Sequence, residues 1–168
     1  MGLDIYIQPD YQDYDDDQLH LSYQEFEKLK VPDVHDFAYR GSERRFDRDW
    51  RLYNRLDDYF MEQSEVAPSI HVGYRAFALI CELVVDNVPK ANELTNEEQA
   101  TVTYLLNHEL DAVYPREEVQ KLATLLDRYP LINANRQTLM QCGCLSEYQA
   151  FVDLVYQAAT QGKALEFD

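Results

Sequence analysis

Apolar and polar residues alternate at the beginning of the chain. Residues 3–7 read Leu-Asp-Ile-Tyr-Ile, a period of two that is typical of a half-buried β-strand, and Pro9 ends it. Residues 164–167 form a short, mostly apolar run after Gly162, which is a natural helix C-cap. We therefore predict a strand at each end of the chain and expect the two strands to pair.

Between these ends, apolar positions recur every three to four residues, which is the spacing of one helix face. The capping and breaking residues place the predicted helices at Ser42 to about Met61, 73–88, Thr95–Glu98 onward through 106, Pro115 to Pro130, and Ser146 to Gly162. Residues 10–18 and 68–69 are predicted loops. Residues 19–23 are predicted to form either a second short strand or the lead into a helix through Leu29. The sum is an α+β fold, with about five helices packed on a small sheet formed from the N- and C-terminal strands, in a single acidic globular domain over residues 1–168.

Composition adds a strong charge to this picture. The 168 residues are 46% hydrophobic, which is typical of a globular chain, but 31 acidic residues face only 15 basic ones, a formal net charge of −16. Such a field opposes nucleic acid and anionic membranes and favours a basic protein partner. Because we find neither a signal peptide nor an apolar stretch of membrane-spanning length, we expect no membrane association and a cytoplasmic location.

Several kinds of chemistry are disfavoured by the motifs. The five glycines are too widely spaced for a phosphate-binding loop or a dinucleotide-binding turn, and there is no nucleophile elbow. Residues 13–24 begin like a calcium-binding EF-hand loop, but Gln18 and Gln24 stand where glycine and glutamate are required. The Cys-Gly-Cys sequence at 142–144 has no partner cysteines, so we interpret it as a tight turn with packed cysteines. We expect no cofactor and no metal.

Residues 108–111 contain candidate groups for acid/base chemistry. His108 and Glu109 begin a zinc-binding helix motif, but Ala112 stands where the second histidine is needed. His108 and Asp111 lie one turn apart and could still work as an acid/base pair, together with Glu109. The interpretation we favour is a histidine near the negative C-terminal end of a helix dipole.

Arginine is concentrated in one part of the chain. Residues 40–55 hold six of the 15 basic residues and three acidic ones, a net charge of +3 that leaves −19 for the remainder. Arg44, Arg48, Arg51 and Arg55 fall at i, i+4, i+7 and i+11, one narrow stripe of a helix, here called the Arg stripe. The opposite face, predicted to pack on the core, carries Phe46, Trp50, Tyr53, Leu56 and Phe60.

Two interpretations of the Arg stripe remain open. In the first, which we favour, it docks against the chain's own acidic residues, such as those at 13–17, or pairs with Asp47 and nearby acids. In the second, it binds a phosphate, a carboxylate ligand or an acidic patch on another protein.

The opening Met-Gly-Leu-Asp-Ile-Tyr resembles a loose group of uncharacterised bacterial and phage proteins that begin in this way. Shorter similarities lie at 39–46, 105–123 and 162–167. The group often carries a central Ser-Asp-Cys-Glu-Gly run, where this chain reads Asn-His-Glu-Leu-Asp at 107–111. The resemblance implies a one-domain α+β fold and no particular activity.

These observations lead to three functional hypotheses. The first is a non-enzymatic acidic binding or regulatory protein, of the inhibitor, immunity or phage-associated accessory type, which acts through protein–protein contacts. The second is a small enzyme that binds an anionic substrate through the Arg stripe and uses His108, Glu109 or Asp111 for acid/base chemistry. It requires one pocket that unites both groups. The third is a homo-oligomer.

Overall fold

The computed structural model describes residues 2–90, 93–106 and 113–167. Within them lie seven α-helices, a 3-10 helix at Phe37–Tyr39 and six strands. The helices are α1 (Tyr23–Phe26), α2 (Glu43–Glu65), α3 (Tyr74–Asp86), α4 (Asn96–Leu106), α5 (Arg116–Arg128), α6 (Asn133–Cys142) and α7 (Leu145–Gln161). The strands are β1 (Gly2–Ile7), β2 (Tyr14–Asp15), β3 (His20–Leu21), β4 (Ser69–Gly73), β5 (Val113–Tyr114) and β6 (Leu165–Phe167).

The α+β class is confirmed, but the described residues form seven helices rather than about five. Helix α6 was not predicted, and the single turn α1 lies in residues 19–29, which the sequence left open between a short strand and a helix. In α6 only Leu139 is buried, so its sequence lacks the repeated apolar positions that indicate a helix.

The chain divides into two compact units. Residues 1–8 and 68–168 form the larger unit, and residues 9–67 form the smaller one. The prediction of a single domain over residues 1–168 stays a prediction. In the described part of the chain, every helix is too short or too polar to cross a membrane.

The larger unit is built around a four-stranded sheet of order β4-β1-β6-β5, in which all neighbours are antiparallel. Ile5 pairs with Phe167 and Ile7 pairs with Leu165, so the predicted pairing of the chain ends is confirmed. The flanking strands β4 and β5 were not predicted. Residues 68–69 were expected to be a loop, yet β4 begins at Ser69 and pairs along β1.

The core of the larger unit lies between this sheet and its helices. Helix α7 is central, because it contacts β1, β4, α3, α5 and α6. Its Phe151, Leu154 and Val155 are buried, as are Leu3 and Ile5 of β1. This is the apolar face that the sequence predicted for the last helix, and it holds the sheet in place.

Local capping signals behave as expected at some helix ends and not at others. Thr95 and Glu98 exchange side chain to backbone hydrogen bonds, which confirms the capping box of α4. Gly162 ends α7 in a left-handed conformation with φ of 65°, as a C-cap glycine should. Ser42 occupies the N-cap position of α2, but its side chain makes no capping hydrogen bond. Pro115 is the N-cap of α5 rather than its first residue.

The smaller unit surrounds the long helix α2 with a hairpin of β2 and β3 and the single turn α1. Its core is largely aromatic: Phe26, Leu56 and Phe60 are buried, and tyrosines cover them. The predicted core face of α2 is partly wrong, because Trp50 is 39% exposed and stacks on Phe46 outside this cluster. Helix α2 packs on the aromatic core from Leu52 to Phe60, C-terminal to Phe46 and Trp50.

Candidate functional site

The Arg stripe lines an open groove in the smaller unit. The groove has a volume of about 720 Å³ and is bounded by the first half of α2 and by the loop that holds Asp16. All four arginines of the stripe are exposed. The groove is lined by Asp16, Gln18, Leu19, Arg44, Asp47, Arg48, Arg51, Leu52 and Arg55. We call this concavity the Arg groove.

The four guanidinium groups of the groove differ in their partners. Arg55 Nη2 lies 3.5 Å from Asp16 Oδ2, and its guanidinium carbon lies 5.6 Å from the centre of the Tyr14 ring. Arg48 Nε donates to Asp49 Oδ1 at 3.1 Å. Neither Arg44 nor Arg51 has an acidic group within 4.0 Å among the described residues.

The first interpretation of the Arg stripe holds for Arg55, and the second stays a prediction. Arg55 turns toward the chain's own acidic loop, as the first interpretation predicts. Arg44 and Arg51 keep exposed guanidinium groups that an outside anion can reach. The first interpretation, that the stripe pairs with the chain's own acids, covers only part of the stripe.

The Asp16 carboxylate is held in place by its own loop. It accepts hydrogen bonds from the Tyr14 hydroxyl at 2.7 Å and from the backbone N–H groups of Gln18 and Leu19 at 2.8 Å each. The hydrogen bond from Tyr14 is the main cause that lowers the pKa of Asp16, followed by the Gln18 N–H, and Arg55 also contributes. Asp16 is therefore a fixed negative charge at neutral pH and anchors one end of the groove.

The four guanidinium groups make the groove chemically suited to bind anions. Among its described lining residues there is no histidine, cysteine, serine or threonine. Leu19 and Leu52 add apolar surface between the charges. With four cations spread over about 16 Å of helix, the lining suits an extended anionic surface better than a single small anion.

The predicted acid/base residues His108, Glu109 and Asp111 lie outside the described residues. The enzyme hypothesis, which requires one pocket that unites these residues with the Arg stripe, stays a prediction. Elsewhere in the described part of the chain, no three acidic, histidine or cysteine side chains are grouped to hold a metal ion.

The cysteine turn differs from the predicted one. Cys142 ends α6, Gly143 is its left-handed C-cap with φ of 70°, and Cys144 precedes α7. Cys142 is exposed and Cys144 is half-buried, so the prediction of packed cysteines is wrong for Cys142. Burial is the main cause that raises the pKa of the Cys144 thiol, which makes that sulfur a poorer nucleophile.

A second concavity, of about 510 Å³, lies in the larger unit between α4 and α5, and the sequence did not predict it. Its cations are already paired. Arg116 Nε lies 2.9 Å from Glu117 Oε1, and Lys121 Nζ lies 2.9 Å from Glu118 Oε1. This concavity is therefore less suited to bind an anion than the Arg groove is.

No protein-family model matches this chain, and neither a curated protein nor a solved structure is significantly similar to it. The functional conclusion therefore depends on the geometry and charge of the chain's own residues.

Proposed function

We propose that this chain is a non-enzymatic binding protein that acts through protein–protein contacts, and that the Arg groove takes an acidic segment of its partner. The observation that carries this proposal is the pair of exposed arginines, Arg44 and Arg51, which line the groove without an acidic partner among the described residues. The small size, the acidity and the lack of nucleotide-binding loops suit an inhibitor, immunity or phage-associated accessory protein.

The shape of the groove favours a peptide segment over a small anion. A site for one phosphate brings several donors to a single point, whereas these arginines follow one another along a helix. Successive stripe residues rise by about 4.5 to 6 Å, which is also the rise between acidic residues at i, i+3 and i+4 of a helix. The apolar surface of Leu19 and Leu52 suits the apolar residues of such a segment.

A nucleic acid suits the same groove less well. Single strands are usually held by bases stacked on aromatic side chains, and the described groove lining contains none. A long phosphate backbone would also leave the groove and meet the net charge of −16. A short acidic protein segment avoids both difficulties. The acidic surface elsewhere remains suited to a basic region of the same partner.

The proposal is tested with a fluorescent helical peptide that carries glutamates at i, i+4, i+7 and i+11. Its binding to the wild-type chain and to the double variant Arg44→Gln/Arg51→Gln is followed by fluorescence anisotropy at low salt. We expect the double variant to weaken binding at least about tenfold, because two charge-assisted contacts are lost.

The matched control is Arg75→Gln/Arg136→Gln. Both arginines are exposed and belong to the larger unit, and replacing them removes the same amount of charge from the chain. Equal effects of the two double variants would mean that only the overall charge matters, and the groove would then not be the binding site.

A further inference from the structure

The Arg stripe continues along α2 with acidic residues. Positions 44, 48, 51, 55, 58, 62 and 65 follow one another at alternating steps of four and three, an average period of 3.5 residues. The first four are arginines, and the last three are Asp58, Glu62 and Glu65. One face of α2 is thus positive in its first half and negative in its second half. We call this face the charged seam.

All seven residues of the charged seam are exposed. Asp58, Glu62 and Glu65 have no cation within 4.0 Å among the described residues. The second half of the seam therefore lacks partners, as do Arg44 and Arg51 in the first half.

The order of charges along the seam is unfavourable for the dipole of α2. A helix is stabilised by acidic residues near its N-terminus and by basic residues near its C-terminus. Along the seam the arginines come first and the acids last, and α2 has no basic residue in its final turn. The arrangement gains nothing from the dipole of α2, but it matches a neighbouring helix that runs in the opposite direction.

We infer that the acidic segment that enters the Arg groove is the second half of α2 from another copy of this chain. This inference rests on the function proposed above and names the partner of the same groove. In an antiparallel pair of α2 helices, seam residues face each other when their two residue numbers sum to 109 or 110. Arg44 then faces Glu65, Arg48 faces Glu62 and Arg51 faces Asp58.

The symmetry of this pairing is closed. The two-fold axis passes close to position 55, so each of the three pairs occurs twice. The two Arg55 residues meet near the axis, and each is already balanced by its own Asp16 at 3.5 Å. A period of 3.5 residues also keeps both seams in register as two helices cross at about 20°.

The inference is tested by sedimentation equilibrium of the full chain at about 0.1 M salt, where long-range repulsion is screened and close pairs persist. We expect a reversible dimer of the wild-type chain. We expect Arg48→Glu and Glu62→Arg each to weaken it at least about tenfold, because two attractive pairs become repulsive. Arg136→Glu, a reversal outside the seam, should leave it unchanged.

An equimolar mixture of the two weakened variants gives the sharpest outcome. In the mixed dimer, the Arg48→Glu site of one copy faces the Glu62→Arg site of the other, and the unchanged Arg48 faces the unchanged Glu62. The mixture should therefore dimerise as the wild type does. Net charge alone makes the opposite prediction for Glu62→Arg, because that change reduces the net charge from −16 to −14 and should favour association.

The outcomes separate the inference from the proposed function. A monomeric wild-type chain that still binds the acidic peptide through Arg44 and Arg51 would overturn the dimer and keep the proposed function. A dimer that both reversals leave intact would also overturn the inference. A dimer restored in the mixture supports both the inference and the proposed function. If the wild-type chain fails to bind the acidic peptide at concentrations too low for it to dimerise, that result would count against the proposed function alone. Trp50 emission and circular dichroism show that each variant is folded.

Discussion

The two compact units carry the same net charge but arrange it differently. The smaller unit has sixteen acidic and eight basic residues, and the larger unit has fifteen and seven, so each has a formal charge of −8. In the larger unit, Arg116, Lys121 and Arg128 each pair with a glutamate. In the smaller unit, arginines and acids separate into two halves of one helix face. The two units therefore differ in the arrangement of charge rather than in its sum, and the proposed binding surface lies where the charges are separated.

The cores differ as well. The larger unit buries mostly aliphatic residues between a sheet and several helices, and the sheet joins both ends of the chain. The smaller unit has three buried hydrophobic residues, Phe26, Leu56 and Phe60, covered by tyrosines. We expect the stability of the larger unit to depend on the sheet and that of the smaller unit to depend on one aromatic cluster.

The largest effect should come from deletion of residues 163–168. This removes β6, which lies between β1 and β5 and buries Leu165 and Phe167. Losing a central strand costs an amount comparable to a total stability of about 5–15 kcal/mol, so we expect no cooperative folding of the larger unit. Thermal unfolding followed by circular dichroism measures this loss of stability, and an unchanged melting temperature would contradict the role of β6.

The next effect should come from Phe60→Ala. Phe60 is 1% exposed and lies within ring contact of Tyr11, Tyr23, Phe26 and Tyr59. Its removal should lower the free energy of unfolding by about 3–5 kcal/mol. The matched control is Phe46→Ala on the same helix, a half-buried ring outside the cluster, whose effect in urea unfolding should be clearly smaller. Equal costs would show that the aromatic cluster is not the core of this unit.

A smaller effect should come from Gly162→Ala at the end of α7. Gly162 has φ of 65°, a left-handed conformation that costs a residue with a Cβ about 1–2 kcal/mol. Gly162→Asn should cost less, because asparagine tolerates this conformation. Urea unfolding of both variants checks the order, and a neutral alanine would show that the cap does not require glycine.

The smallest effect should appear in the pH dependence of stability. The pKa values of Asp16 and Glu98 are lowered in the folded chain, chiefly by hydrogen bonds from the Tyr14 hydroxyl and from the Thr95 backbone N–H. Each carboxylate therefore stabilises the fold above its unfolded pKa of about 4, and this contribution is lost as the pH falls through the folded pKa. Asp16→Asn and Glu98→Gln should each flatten the acid limb of a stability profile measured by urea unfolding. A profile as steep as that of the wild type would contradict the assigned hydrogen bonds.

Apart from the pairing of the chain ends, the features that the sequence predicted correctly are local ones. The alternation at 3–7, the Thr95–Glu98 box and the Gly162 cap each depend on neighbouring residues, and each is present. Strand β4 was missed because Pro68 and Ser69 signal a turn, although Ile70 and Val72 alternate with polar residues. Its pairing with β1 is a long-range contact that no local signal reports.

The site shows the same division. The Arg stripe follows from helical spacing alone. The wall that Asp16 and Leu19 add to it comes from a loop about thirty residues earlier, so the groove and the pairing of Arg55 with Asp16 could not be predicted. The acidic residues Asp58 and Glu62 continue the spacing of the stripe in the sequence. That they share one helix face with Glu65 is known only because α2 runs unbroken to Glu65 in the structure.

The antiparallel pairing of α2 is tested most directly by disulfide formation between copies, in a chain that also carries Cys142→Ser and Cys144→Ser. Position 55 lies near the two-fold axis, so the two copies of Arg55→Cys should be close enough to bond. The two copies of position 44 should be about 30 Å apart along the helices. We predict that mild oxidation converts Arg55→Cys to a covalent dimer and leaves Arg44→Cys a single chain. Equal cross-linking of the two variants, or none for Arg55→Cys, would contradict the pairing.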